Sequence, residues 1–209
     1  MPELDPALSA HTPADLEPRK RPRPGERRMQ ILQTLAHMLE QPGAERITTA
    51  ALAARLEVSE AALYRHFASK AQMFEGLIDF IEQAVFSLVN QVQERESDPL
   101  VRVQGLVHLI LQFAEKNPGM TRVMVGDALV FEHERLQERM NFFFDKLEAA
   151  FRQSLRELPA AAGPQAIDPA VRASLLQAFV LGRLQRYARS GFKRLPSEHL
   201  GQSLALMLG

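Results

Sequence analysis

The sequence predicts an all-α protein with an N-terminal three-helix head and a larger helical body. Apolar residues recur at helical spacing almost without interruption from Glu26 onward. No useful length alternates at the two-residue period of a strand. Ser, Thr or Asp stands where several of the successive helices need a cap. At 209 residues, 46 % apolar and 24 % charged, the chain has the composition of a globular protein with a sizeable core.

Residues 1–25 are expected to be a disordered tail, because Pro2, Pro6, Pro13, Pro18, Pro22 and Pro24 interrupt any helix and few large apolar residues are present. Up to Glu17 this tail holds acids and no Lys or Arg. From Arg19 to Arg28 it is an arm of six bases against Glu26. Ile31, Leu32, Leu35, Ala36 and Leu39 mark the first helix, which Pro42-Gly43 ends. Thr48 or Thr49 caps a second over Thr49 to Arg55, and Ser59 caps a third over Glu60 to Phe67. Ser69-Lys70-Ala71-Gln72 has capping-box form and opens a fourth that reaches about Arg95. Asp98-Pro99 starts a fifth, which stops near Asn117-Pro118-Gly119, and a short helix follows. A long helix is expected from about Asp127 to Leu158, striped by Phe131, Leu136, Met140, Phe144, Leu147, Phe151 and Leu155. Pro159 to Pro164 reads as a linker, Asp168-Pro169 caps a helix to about Arg189, and Pro196 to Leu208 holds the last. The expected organisation is thus a tail over 1–25, a three-helix head over 26–70 and a larger helical body over 71–209.

Composition excludes several functions. There is no cysteine, which removes disulfides, thiolate metal sites and cysteine nucleophiles. None of the six histidines stands in H-x-x-x-H or H-E-x-x-H spacing, so neither a metal nor another cofactor is expected. G-x-S-x-G, Walker and G-x-G-x-x-G motifs are absent, which argues against an enzyme. No apolar run is long enough to span a membrane, and acids precede any base at the N-terminus, so a cytoplasmic protein is expected. Lys+Arg and Asp+Glu are both 25, so binding to a polyanion must come from local patches rather than net charge.

The stretch Thr49 to Phe67 has helix-turn-helix spacing. Two short helices meet at Leu56-Glu57-Val58, with Leu52, Val58, Leu63 and Phe67 as their shared core and Ala53 small at the crossing. Glu57 occupies the turn position that favours glycine, at a cost of about 1–2 kcal/mol if left-handed. A helix of this width fits the major groove of DNA, with its N-terminal residues nearest the base edges. Small Ala61 lets the backbone come close, while Tyr64, Arg65, His66 and Lys70 can donate to phosphates. Arg23 and Arg27 from the arm, with Thr48, Thr49 and Ser59 at the two helix starts, complete the candidate DNA-binding set. The plainer alternative is a pair of short helices in a generic bundle; the basic arm and the Tyr-Arg-His-Phe cluster speak for DNA.

Thr-Thr-x-x-Leu-Ala followed by Val-Ser-x-x-Ala-Leu-Tyr-Arg-His-Phe-x-Ser-Lys resembles the N-terminal domain of TetR-type regulators. The resemblance implies an all-α homodimer. In the body, Leu77-Ile-x-Phe-Ile-Glu82, Glu115-Lys-Asn-Pro-Gly-Met-Thr-Arg122, Ala128-Leu-Val-Phe-Glu132 and Arg189-Ser-Gly-Phe-Lys-Arg-Leu-Pro196 are similar to the nucleoid occlusion branch of that family. This implies binding to double-stranded palindromic DNA and antagonism of the tubulin-like division protein FtsZ, whose C-terminal tail is gripped between the fourth and fifth helices. The matching positions are Phe80, Leu109, Gln112, Lys116, Asn117 and Pro118; Lys116 and Leu88 stand where the resemblance places arginines, and Gln112 where it places glycine. Read singly, Phe80 and Leu109 are ordinary core positions and Asn117-Pro118 a helix stop. The competing function is a ligand-gated repressor with an apolar pocket among Phe113, Met120, Met124, Phe142, Phe143 and Phe179.

Overall fold

The computed structural model describes residues 24–41, 47–158 and 167–209. Most of the N-terminal tail, with Arg23, lies outside the described residues, as do the Pro42-Gly43 stop and the Pro159 to Pro164 linker. Nine α-helices are formed by the described residues: α1 (Pro24–Leu39), α2 (Thr49–Arg55), α3 (Glu60–Tyr64), α4 (Lys70–Arg95), α5 (Pro99–Lys116), α6 (Pro118–Met124), α7 (Glu134–Arg156), α8 (Pro169–Arg189) and α9 (Leu200–Leu208). α1 thus begins two residues inside the expected tail.

The caps follow local chemistry. Thr48, Ser59, Ser69, Asp98 and Asp168 each accept backbone N–H bonds at the starts of α2, α3, α4, α5 and α8. The Ser69 box closes one residue early: Gln72 accepts from the amide of Ala68, at 2.8 Å, rather than from that of Ser69.

Three further expected boundaries move. α3 ends at Tyr64, not Phe67, because the chain turns there and drives Phe67 into the core at 1 % exposure. The long helix does not begin at Asp127. Gly126 is left-handed (φ 84°), Asp127–Leu129 forms a separate 3-10 turn, and His133 caps the helix that starts at Glu134. Phe131 therefore leaves the apolar stripe and lies 68 % exposed. The last helix starts at Leu200, not Pro196. Pro196 is buried, and His199 is left-handed at the junction (φ 56°).

One continuous core joins head and body. Ile31, Leu35, Leu52, Leu63 and Phe67 merge through Phe74, Leu77 and Ile78 of α4 into the packing of α5, α7 and α8. α7 lies along α8, and α4 lies along α5 and α7. α6 sits on α1 so closely that a Cβ added at Gly119 would fall 1.9 Å from the Ala36 carbonyl oxygen. The head is thereby seated on the body through α4 and α6, which fixes how α3 is presented.

Candidate nucleic-acid interface and partner groove

α2 and α3 are locked at the expected turn. Leu56 closes α2, the amide of Val58 reaches the carbonyl of Ala53 at 3.0 Å, and Glu57 is left-handed at φ 55°. Thr49 Oγ1 donates to Glu60 Oε2 at 2.5 Å and ties the start of α2 to the start of α3. The hydroxyls of Thr48 and Ser59 serve as caps. This leaves Ala61, Tyr64 and Arg65 on the exposed outer side of α3 and its end, with His66 half-buried beyond. Tyr64 is 46 % exposed, a large aromatic side chain left on the surface beside Arg65.

Arg28, which sequence reasoning counted only as arm charge, braces this surface. Its guanidinium lies 4.1 Å above the Phe67 ring and donates to the His66 carbonyl at 3.0 Å, holding the start of α1 against the end of α3. Neither partner lies near Arg28 in sequence, so spacing gave no signal. Half-buried Arg27 donates to Gln30 at 2.8 Å.

Lys70 does not point freely outward as a phosphate donor. Its ammonium is paired with Glu132 and lies 5.7 Å from the Phe74 ring. It is the first rung of a ladder between α4 and the approach to α7. Arg135 bonds Glu75 at 2.8 Å, and Arg139 bonds Glu82 at 2.7 Å and Asp79 at 2.5 Å. Its hydrogen bond to Glu82, reinforced by Asp79 and opposed by partial burial, raises the Arg139 pKa above the ordinary guanidinium value. Of these pairs, Lys70–Glu132 joins head to body, and the others tie α7 to α4 within the body.

On another side of α4, beside α5, stand the residues expected to grip a partner. The three-residue connection between α4 and α5 makes them antiparallel neighbours, and a Cβ at Gly105 would meet Val92 at 3.5 Å. This register sets Leu88 across from Leu109 and Phe80 across from the end of α5. Phe80 is 39 % exposed, too much for a core phenylalanine; Gln112 and Lys116 are exposed, and Leu109 and Pro118 half-buried. Asn117 has a second duty, since its amide donates to the Phe113 carbonyl at 2.8 Å and finishes α5.

The six residues considered for an effector pocket disperse. Phe143 packs edge-on against Phe86 and Phe144 in the core, while Phe142 is exposed under the Lys146 ammonium. Of the six, Met124 alone lines the cleft of about 480 Å³ between α6, α7 and α8, whose other walls include Gln137, Asn141, Asp145, Glu148 and Gln177. Among the described residues there is no cluster of three His, Asp or Glu able to hold a metal, and no helix long and apolar enough to cross a membrane.

A helix-turn-helix head seated on an all-helical body defines a DNA-binding regulator of the TetR type. The family of bacterial regulatory proteins, tetR family, matches residues 31–77, and the tetracyclin repressor-like C-terminal domain of SlmA-like proteins matches residues 97–208. The chain is 52 % identical over 188 residues to the nucleoid occlusion factor SlmA of Aliivibrio fischeri (strain MJ11), covering 89 % of this chain and 96 % of that one. With the SlmA of Idiomarina loihiensis the identity is 50 % over 182 residues, 87 % of this chain and 93 % of the relative. The chain belongs to the tetR family and, within it, to the SlmA group. Among solved structures, the TetR family regulator PfmR of Thermus thermophilus superposes with a TM-score of 0.68 at 17 % identity, covering 86 % of this chain and 94 % of that one. AibR, solved with isovaleryl coenzyme A and operator DNA, gives 0.68 at 16 %, over 87 % and 97 %. Both confirm the fold.

Proposed function

We propose that the chain is a sequence-specific DNA-binding homodimer that acts as a nucleoid occlusion factor, antagonising FtsZ ring assembly over chromosomal DNA. The observation that carries this reading is the extent of the SlmA similarity, which runs through the body as well as the head. Two copies pair through α8 and part of α7, and twofold symmetry offers two α3 helices to the half-sites of a palindrome. Ala61 allows close approach to the bases, and Tyr64, Arg65, His66 and the basic arm hold the phosphates. Because the chain is neutral overall, affinity depends on these local charges and falls steeply with salt.

The FtsZ C-terminal tail docks between α4 and α5. Exposed Phe80 and half-buried Leu109 meet its apolar side chains, and Lys116 meets its acidic ones. The protein accordingly acts on the nucleoid. Genome-wide crosslinking in its own host tests the reading: many palindromic sites, sparse near the replication terminus, are expected. One or two sites beside its own gene or a transporter gene would instead identify a ligand-gated repressor. The groove is tested by fluorescence anisotropy with an FtsZ tail peptide. Phe80→Ala and Lys116→Glu are expected to weaken peptide binding at least tenfold and to spare DNA binding; unchanged peptide affinity refutes the groove.

A further inference from the structure

We propose that the C-terminal end of α8 and the turn after it form a binding site for phosphate groups, distinct from the recognition helix and from the groove between α4 and α5. A cleft of about 420 Å³ opens there, lined by Gly182, Gln185, Arg186, Arg189, Ser190 and Arg194. Three guanidinium groups, a hydroxyl and an amide face one space, and no carboxylate lines it.

The charge is local and uncompensated. Residues 183–198 hold Arg183, Arg186, Arg189, Lys193 and Arg194 against Glu198 alone, in a chain that is neutral overall. Glu198 is already engaged, since its carboxylate accepts from Arg186 at 3.0 Å and its carbonyl from Arg183 at 2.8 Å. Arg186 Nε is buried without an acceptor. The guanidinium groups of Arg189 and Arg194 have no hydrogen-bond or ion-pair partner among the described residues, and both side chains are exposed. Desolvation, added to by the charge of Arg186 and opposed by that of Glu198, lowers the Arg183 pKa.

The turn that carries Arg194 is built rigidly and under strain. Gly191 (φ 63°) and Phe192 (φ 64°) are successive left-handed residues, and the second is aromatic. Phe192 is held by an edge contact with Tyr187 at 5.2 Å, by the Arg122 guanidinium at 5.3 Å and by its amide bonding the Tyr187 carbonyl at 3.0 Å. The Ser190 hydroxyl accepts from the amides of both Lys193 and Arg194, at 3.1 and 2.9 Å. So much fixation of an exposed turn goes beyond what reversing the chain requires. It places Arg194 beside Arg189 on the last turn of α8.

The donor set selects the ligand. Guanidinium forks bind carboxylates and phosphates bidentately, but three of them with the Gln185 amide exceed what one carboxylate accepts, the Ser190 hydroxyl being spent on the Tyr187 carbonyl at 2.8 Å. A phosphate chain offers enough oxygens, and no aromatic lines the cleft to stack a base. Such groups can come from a free polyphosphate or from the DNA backbone.

Calorimetric titration of the full-length protein with sodium tripolyphosphate at physiological salt tests the site. The wild type is expected to bind about one anion per chain. Arg189→Gln/Arg194→Gln, two exposed positions, should weaken this at least tenfold, whereas Tyr64→Ala in the recognition helix leaves it unchanged. No binding by the wild type, or equal binding by the double variant, overturns the proposal. A duplex carrying one of the protein's own chromosomal sites separates the two sources. For a free anion, tripolyphosphate binds the DNA complex equally well and the double variant keeps its DNA affinity. For the DNA backbone, the duplex displaces tripolyphosphate and the double variant shows a salt slope shallower by about two.

Discussion

At Lys70 one side chain serves two masters. The ammonium expected at the start of α4 to meet a phosphate is held by Glu132, whose side chain is only 10 % exposed. Replacing Lys70 by Ala is expected to weaken DNA binding several-fold and to flatten the salt slope by about one, the signature of a lost phosphate contact. Glu132→Gln, which releases the ammonium, should leave DNA affinity equal or tighter. An unchanged slope in Lys70→Ala would make the residue purely a tie between head and body. Tyr187 yields a second prediction at this scale. Burial, with the nearby Glu115 and Glu40 charges, raises its phenol pKa above 10. The folded state therefore holds the proton more tightly than the unfolded chain. The stability this supplies is complete below pH 10 and is lost as pH climbs through the folded value. With two tyrosines and no tryptophan in the chain, alkaline difference absorbance reads the phenols directly. Tyr187→Phe should remove a transition above pH 10 and make stability less sensitive to pH there. The outward residues of α3 were legible in sequence because cap and apolar spacing fix that face. The engagement of Lys70 was not, since Glu132 lies 62 residues away.

Elements were legible wherever a short-range rule governs them. Ser59, Ser69, Asp98 and Asp168 could be assigned as caps, and Thr48 or Thr49 as a further one, because a cap bonds amides two or three residues on. The misplaced boundaries are those set by distant packing. Apolar spacing continues through Ala128, Leu129 and Phe131 as if the helix did, but the chain breaks there and delivers Glu132 to Lys70. α3 likewise stops early because Phe67 belongs to the core and Arg28 takes up the exposed carbonyl of His66. The α1–α6 contact depends on another feature invisible to periodicity, a glycine against a backbone oxygen. Gly119→Ala must push α6 away from Ala36, because the atom it meets is backbone and cannot rotate aside. A loss of about 2 kcal/mol is expected in urea unfolding, within the usual range for overpacking. A loss below about 0.5 kcal/mol would show that α6 is not pressed onto α1 as described.

The whole molecule poses the question of what covers α8. Its inner face, with Ala173, Leu176, Val180 and Leu184, is fully buried against the rest of the body, yet Val171 and Leu175 stand about half exposed on the outer side. Exposed Ser174 and Ala178 stand on the same side, one turn apart. Apolar side chains beside small residues are suited to close approach of a second helix, and the proposed twofold pairing sets α8 against its own copy. The head makes this consequential. One α3 reaches one half-site, so a monomer forfeits the second set of phosphate and base contacts and the gain from linking the two. Leu175→Glu places a charge on the proposed contact without touching the core. Sedimentation equilibrium is expected to show a monomer with unchanged helical content, and affinity for a palindromic site should fall by at least a hundredfold. A half-site duplex should lose almost nothing, because the recognition surface of each head is intact. If Leu175→Glu stays dimeric, the pairing surface lies elsewhere on the body, and the exposed face of α8 needs another partner.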